Sequence, residues 1–226
     1  MPPIRVTIAL LLLLSVLAEA SEETLALSDG SSVKTLFFAP VDTGGKPTPL
    51  AIMVAGGAGN EFMARAQFWF GKQLVDRGWS IAVPISPDGK PFSHSNAYLF
   101  PQLIQSLHNT HQLIPSKPLL VGISSGGSAA IAIAAQTPSQ YLGVVAIPGR
   151  IKANADILPM QGLPIYLRVG EHDPFHWNRK LNEVTAKLET AGAKVNAALV
   201  PEARHIFKID WEQLEPWLQS LNSARR

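Results

Sequence analysis

Cysteine is absent from the 226 residues. Without a thiol there is no disulfide, no thiolate nucleophile, no Cys-ligated zinc site and no lipid-modified N-terminal cysteine. Any nucleophile must be an oxygen or a nitrogen. An excess of charge is also missing: 19 Lys and Arg against 17 Asp and Glu leave a formal net charge of +2. The basic residues are scattered, apart from the terminal Arg225-Arg226 pair, so neither nucleic acid nor an acidic membrane is implied as a partner. The N-terminal apolar run, Val6 to Ala18, holds 13 residues, short of the ~20 that a spanning helix needs. Internal repeats and low-complexity segments are lacking as well.

What is there begins with an export pattern. Arg5 precedes an apolar stretch with five consecutive leucines, and Ala18-Glu19-Ala20 offers the small-x-small site of a signal peptidase. The expectation is a signal peptide over residues 1–20, a mature chain starting at Ser21, and a periplasmic or secreted protein with no stable membrane anchor after cleavage. The lack of disulfides fits a bacterial source. Residues 21–226 suit one domain with a sizeable core.

Along that domain, apolar β-type runs alternate with helical stretches. Strands are expected at Ser32–Phe38 (an edge strand), Leu50–Val54, Trp79–Ile85, Lys117–Ile123, Leu142–Ile147, Pro164–Val169 and Val195–Val200. Runs as uninterrupted as Leu50-Ala-Ile-Met-Val54 suggest strands buried on both faces. The spacing predicts a helix from the Asn60 cap to Arg77, with Phe62, Ala66, Trp69 and Leu74 on one face. Others are expected over Ala97–Leu113, Ser128–Gln136, Trp177–Ala191 and Asp210–Leu221, where Pro216 predicts a kink or a later start. Alternating β and α units predict a single α/β domain with a doubly wound, mostly parallel sheet, whose ligands bind beyond the carboxyl ends of the strands.

Gly122-Ile123-Ser124-Ser125-Gly126 matches G-x-S-x-G in the required context, a strand before and a small-residue helix after. The motif needs glycine two positions either side because the serine sits in a strained turn between packed elements. Ser124 is therefore the candidate nucleophile. Ser125 fits less well, because Ile123 would then occupy a position that needs glycine.

In these residues the chain resembles the α/β-hydrolase superfamily over nearly all of residues 21–226. Its smaller lid-free members, the carboxylesterase/phospholipase and dienelactone-hydrolase-like groups, are the nearest match. The resemblance implies a triad in the order serine, acid, histidine. Val169-Gly-Glu-His-Asp173-Pro174 looks like the family's V-G-x-x-D-P turn and puts Asp173 in the acid's place, with Asp156 and Glu171 as runners-up. His205, between the last strand and the last helix, stands where the family keeps its histidine. The resemblance also implies an oxyanion hole from the Ser125 amide and a loop amide in Ala55-Gly56-Gly57-Ala58-Gly59, with Gly57 first choice and Ala58 next. The family pattern has His where Ala55 stands, which leaves the local geometry of the hole open.

Other motifs carry less. Gly56-Gly57-Ala58-Gly59 does not give G-x-G-x-x-G and lacks the Lys-Ser/Thr ending of a P-loop. His172 and His176 flank Asp173 without a defined third ligand, so no metal is implied, and no cofactor either. His94, His108 and His111 are expected on a loop and an exposed helix face, while Trp177 could wall a pocket. The segments Ser86–Asn96 and Pro148–Gly162 are too short for a large lid, which predicts a fairly open cleft. The leading expectation is an exported serine hydrolase acting on small or acylated-saccharide carboxylic esters. The alternatives are a peptidase or amidase with the same triad, a lipid-directed hydrolase needing an exposed apolar rim, and a non-catalytic binding protein that kept the fold. The oligomeric state is not legible.

Overall fold

Eight strands form one sheet: β1 (Glu19–Ala26), β2 (Ser32–Ala39), β3 (Leu50–Val54), β4 (Ser80–Pro84), β5 (Leu119–Gly122), β6 (Gly143–Ala146), β7 (Pro164–Gly170) and β8 (Lys194–Val200). Their spatial order is β1-β2-β4-β3-β5-β6-β7-β8. The pairs β1–β2 and β2–β4 are antiparallel and all others parallel. This computed structural model describes residues 19–223 apart from residue 88 and residues 152–157. The export segment up to residue 18, the runner-up acid Asp156 and the Arg225-Arg226 pair lie outside the described residues.

The apolar runs become strands for the reason their composition suggests. Every residue of β3, β4, β5 and β6 is buried, because each side of the pleat faces a helical layer. On one face Ile52, Leu120, Val144 and Ile165 pack under α3 (Leu99–Thr110), α4 (Ser125–Gln136) and α5 (Leu181–Thr190). On the other, Met53, Val121, Val145 and Tyr166 pack under α1 (Glu61–Ala66), α2 (Trp69–Val75) and α6 (Trp211–Ser223). Alternate residues of one strand thus serve two cores. The domain is a single α/β unit with a mostly parallel sheet, as its alternating pattern predicts.

The differences are local. Ser32–Phe38 is not the edge: β1 covers it, from Glu19 opposite Ala39 to Ala26 opposite Ser32. The polar Ser-Glu-Glu-Thr stretch of β1 hides it from a search for apolar runs. The helix expected from Asn60 to Arg77 is two helices. Asn60 caps α1 by accepting from the Met63 N–H, but the chain turns at Gln67 and Phe68, where Gln67 is buried and Phe68 stacks on Phe38. The turn rotates the buried face, so Phe62 is 75% exposed and Ala66 also faces solvent, while Ala64, Phe70 and Leu74 go inside. Pro216 lies inside α6, which begins at Trp211 and not later. His111 is not on an exposed face: its ring stacks on Phe37 and its Nε2 lies 2.9 Å from Glu23 Oε2, tying β1 to the end of α3.

The sheet order reverses direction at β3, with β4 added on one side and β5 on the other. The crevice at such a switch point is where ligands of these sheets bind. The carboxyl ends of β3 and β5 carry the Gly56-Gly57 loop and Ser124. A cavity of about 880 Å³ lies at the other end, against Lys117, Leu142, Pro164 and Lys194 before the starts of β5 to β8. It is remote from the elbow.

Candidate active site

Ser124 sits between β5 and α4 with φ 60° and ψ −125°, a backbone region that side chains other than glycine rarely occupy. The glycines around it are there for space. A Cβ on Gly122 would run into the backbone of Gly126, one on Gly126 into the carbonyls of Val54 and Ala55, and one on Gly56 into the Ile123 carbonyl. Strand, elbow and helix therefore touch backbone to backbone, and the N-terminus of α4 starts at the serine.

Asp173 follows β7 in a turn closed by the Asp173 N–H to the Gly170 carbonyl (3.2 Å) and the His176 N–H to the Asp173 carbonyl (3.0 Å). Its carboxylate is buried, and each oxygen has a task. One accepts the Phe175 N–H at 2.7 Å; the other accepts from His205 Nδ1 at 2.8 Å. Asp173 thus both caps its own turn and orients the histidine. Because an ionised carboxylate only accepts, Nδ1 carries the proton and the Nε2 lone pair faces the serine. Ser124 Oγ lies 2.8 Å from that Nε2. The imidazole is held edge-on by two aromatic rings, Phe175 with centroids 4.6 Å away and Trp177 at 5.0 Å. Such a relay can draw the hydroxyl proton from Ser124 as its oxygen attacks an electrophile.

Glu171, the runner-up acid, and its neighbour His172 serve as staples. Glu171 Oε2 accepts the Glu202 N–H at 3.0 Å, and the His172 N–H donates to the Ala203 carbonyl at 2.8 Å, joining the acid loop to the histidine loop. Glu171, His172 and Glu202 do bring ligand atoms within 4.8 Å of one another, all in solvent. His176 is not part of that group.

The loop after β3 passes beside Ser124. The Gly56 N–H donates to Gln67 Oε1 at 2.7 Å, and the Ser125 hydroxyl donates to the Gly57 carbonyl at 3.4 Å. Gly57 has φ +61°. Among the described residues, no protein group accepts from the amide N–H of Gly57 or of Ser125. Sequence reasoning missed Gln67, although a glutamine amid a helix's apolar residues was a readable signal. It also missed Phe175, and Gly170, against which the carbonyls of Ala203 and Arg204 pack.

A cavity of about 410 Å³ opens beside the elbow, walled by Phe92, Ser125, Ala129, Ala132, Ile151 and Trp177 among others. Arg150 lies over the Trp177 ring at 4.8 Å, and its backbone N–H donates to Ser128 Oγ at 3.1 Å. Both loops flanking the cleft contribute, and among their described residues the only helical turn is His94–Asn96.

A serine relay at the carboxyl edge of a sheet in this order defines a class, the serine hydrolases of the α/β-hydrolase fold. Within it the chain belongs to the dienelactone hydrolase family, whose model matches residues 94–224. The candidate esterase NocK of Nocardia uniformis subsp. tsuyamanensis is 27% identical over 101 residues, 44% of this chain and 29% of NocK. The chain thus spans under a third of that relative. Two solved structures share the fold: the Bacillus cereus carboxylesterase (TM-score 0.63, 18% identity, 84% of this chain and 94% of that one) and the Anabaena variabilis dienelactone hydrolase (TM-score 0.61, 17% identity, 91% and 96%).

Proposed function

We propose that the protein is an exported serine esterase that cleaves carboxylic esters through an acyl-serine intermediate on Ser124. The observation that carries this reading is the continuous relay from Ser124 Oγ through His205 to Asp173, with both contacts at 2.8 Å. Ser124 Oγ attacks the ester carbonyl carbon while His205 Nε2 takes its proton, and Asp173 stabilises the imidazolium. The amides of Ser125 and Gly57 receive the oxyanion. Collapse breaks the bond to the alcohol, which leaves with the proton from His205. Water, deprotonated by the same imidazole, then releases the acid. Losing one oxyanion donor in such sites typically costs roughly 100- to 1000-fold.

The test is labelling of residues 21–226 with a fluorophosphonate, together with p-nitrophenyl acetate turnover, alongside Ser124→Ala and His205→Ala. One-to-one labelling and turnover that vanish with Ser124 support the reading. A folded protein that neither labels nor turns over would sink it and leave a binding role.

The export half rests on the apolar run and on Ala18-Glu19-Ala20. Cleavage after Ala20 keeps the strand pairs from Ser21–Phe37 to Ala26–Ser32, so the sheet tolerates it. Sequencing the N-terminus of the exported protein decides this: a start at Ser21 supports it, and an intact Met1 in the cytoplasm refutes it. Among the described residues no helix is long and apolar enough to cross a membrane.

A lipid-directed version of the same chemistry is favoured by one feature. Phe175, whose ring packs on His205, and Ile206, the next residue after His205, are 64% and 52% exposed. A jump in turnover as an ester passes its solubility limit would support it, and a smooth saturation curve would oppose it.

A further inference from the structure

Helix α4 leaves the elbow with Ser125, Ser128, Ala129 and Ala132 spaced i, i+3, i+4 and i+7, so the four share one stripe. That stripe forms one wall of the cavity of about 410 Å³, a size within the ~300–1,000 Å³ of ordinary small-molecule sites. The relay uses only the space around Ser124 Oγ and leaves this cavity to be explained. Its other walls include Phe92, Ile151 and Trp177. The polar groups of the stripe, Ser125 and Ser128, come first from the elbow, and the alanines follow. Ser128 Oγ is occupied by the Arg150 N–H, and the Arg150 guanidinium lies over Trp177. Beyond the elbow, then, the stripe offers carbon. It stays open because residues 129 and 132 are alanine: any longer side chain at 132, which is half-buried, would project into the space.

We propose that this cavity receives an apolar limb of the substrate ester, alkyl or aryl, and that Ala132 sets how much of that limb fits. The inference rests on the esterase reading above and narrows its substrate class. Each methylene drawn from water into such a site is worth about fourfold in binding. A sugar limb would meet Ser93 and Arg150 on the walls, but it would set its other hydroxyls against Phe92, Ile151 and the alanines, a placement that costs binding. An acylated saccharide therefore fits better with its sugar outside this cavity.

The limb can belong to the acid or to the alcohol, and two series of esters tell them apart. In one, p-nitrophenyl acetate, hexanoate and phenylacetate vary the acyl group. In the other, methyl, hexyl and benzyl acetates vary the alcohol. The readout is the ratio of kcat/KM for the larger to the smaller ester, in the parent protein and in Ala132→Leu. The parent should favour the larger limb in one series, and Ala132→Leu should cut that ratio at least ~10-fold. Stoichiometric fluorophosphonate labelling checks that the variant is folded; if leucine disrupts α4, Ala132→Val provides the same comparison. Ratios within about twofold of unity in both series, or a ratio that Ala132→Leu leaves in place while acetate turns over, would overturn the pocket assignment alone. Failure to hydrolyse any ester would overturn the esterase reading and this inference with it.

Discussion

The carbonyl oxygen of Arg204 occupies the space that a Cβ on Gly170 would need. The residue before the histidine is thus seated on the last residue of the strand that delivers the acid. This backbone contact brings the His205 loop down onto the Asp173 loop, and the stitches from Glu171 and His172 hold it there.

Replacing Gly170 with alanine should therefore lift the His205 loop. The expected outcome is a fall in kcat of roughly 100-fold, because small misplacements of a catalytic group are costly, with a loss of about 1–3 kcal/mol of stability from the forced contact. Kinetics and urea unfolding on the same preparation check both.

Asp173→Asn separates the two tasks of one carboxylate. The amide oxygen can still accept the Phe175 N–H and keep the turn, but its NH₂ would then face His205 Nδ1 and favour the wrong tautomer. The fold should survive while kcat drops by about 10⁴. A variant with turnover near the parent's would remove Asp173 from the relay.

Gln67→Leu tests the support of the loop after β3. It leaves the buried Gly56 N–H without an acceptor, at about 1–3 kcal/mol, and loosens the segment bearing the Gly57 amide. The expected signature is a kcat reduced by ~10–100-fold with KM little changed, since oxyanion contacts act in the transition state. An effect on KM alone would argue that Gln67 serves substrate binding instead.

Acid should weaken the tie between β1, β2 and α1. The Lys34 ammonium, and after it Arg65, hold the Glu61 carboxyl below its ordinary 4.5. A lowered value in the folded state means that the ion pairs stabilise the protein above pH 4.5 and that this help is lost as pH falls through the folded value. Glu61→Gln should thus lower Tm at pH 7, and the difference from the parent should shrink as the pH falls below 4.5. Because the group is exposed, the effect should be small and should shrink further in high salt.

Much of the molecule is legible because its signals are local. The buried strands show as apolar runs, and the elbow shows because Gly122 and Gly126 face backbone atoms only a few residues away or on the adjoining strand. The edge strand β1 does not show, since an edge needs burial on one face only and its Ser-Glu-Glu-Thr stretch reads as loop. Nor does the break at Gln67, where a tertiary hydrogen bond to Gly56 and the stacking of Phe68 on Phe38 override helical continuity.

By itself the sequence determined the alternation of strands and helices, and with it the sheet that sets the carboxyl ends of β3, β5 and β7 along one edge. It also determined the strained turn at Ser124, because glycine spacing and the strand-to-helix switch are properties of neighbouring residues. Only the tertiary structure decided that Asp173 and not Glu171 reaches His205, that Gln67 holds the oxyanion loop, and that Ala132 borders a cavity. The reason is distance along the chain: Ser124 meets His205 across 81 positions and Asp173 meets it across 32. Contacts that long depend on how closely separate loops can approach, which here is governed by the missing side chain at Gly170.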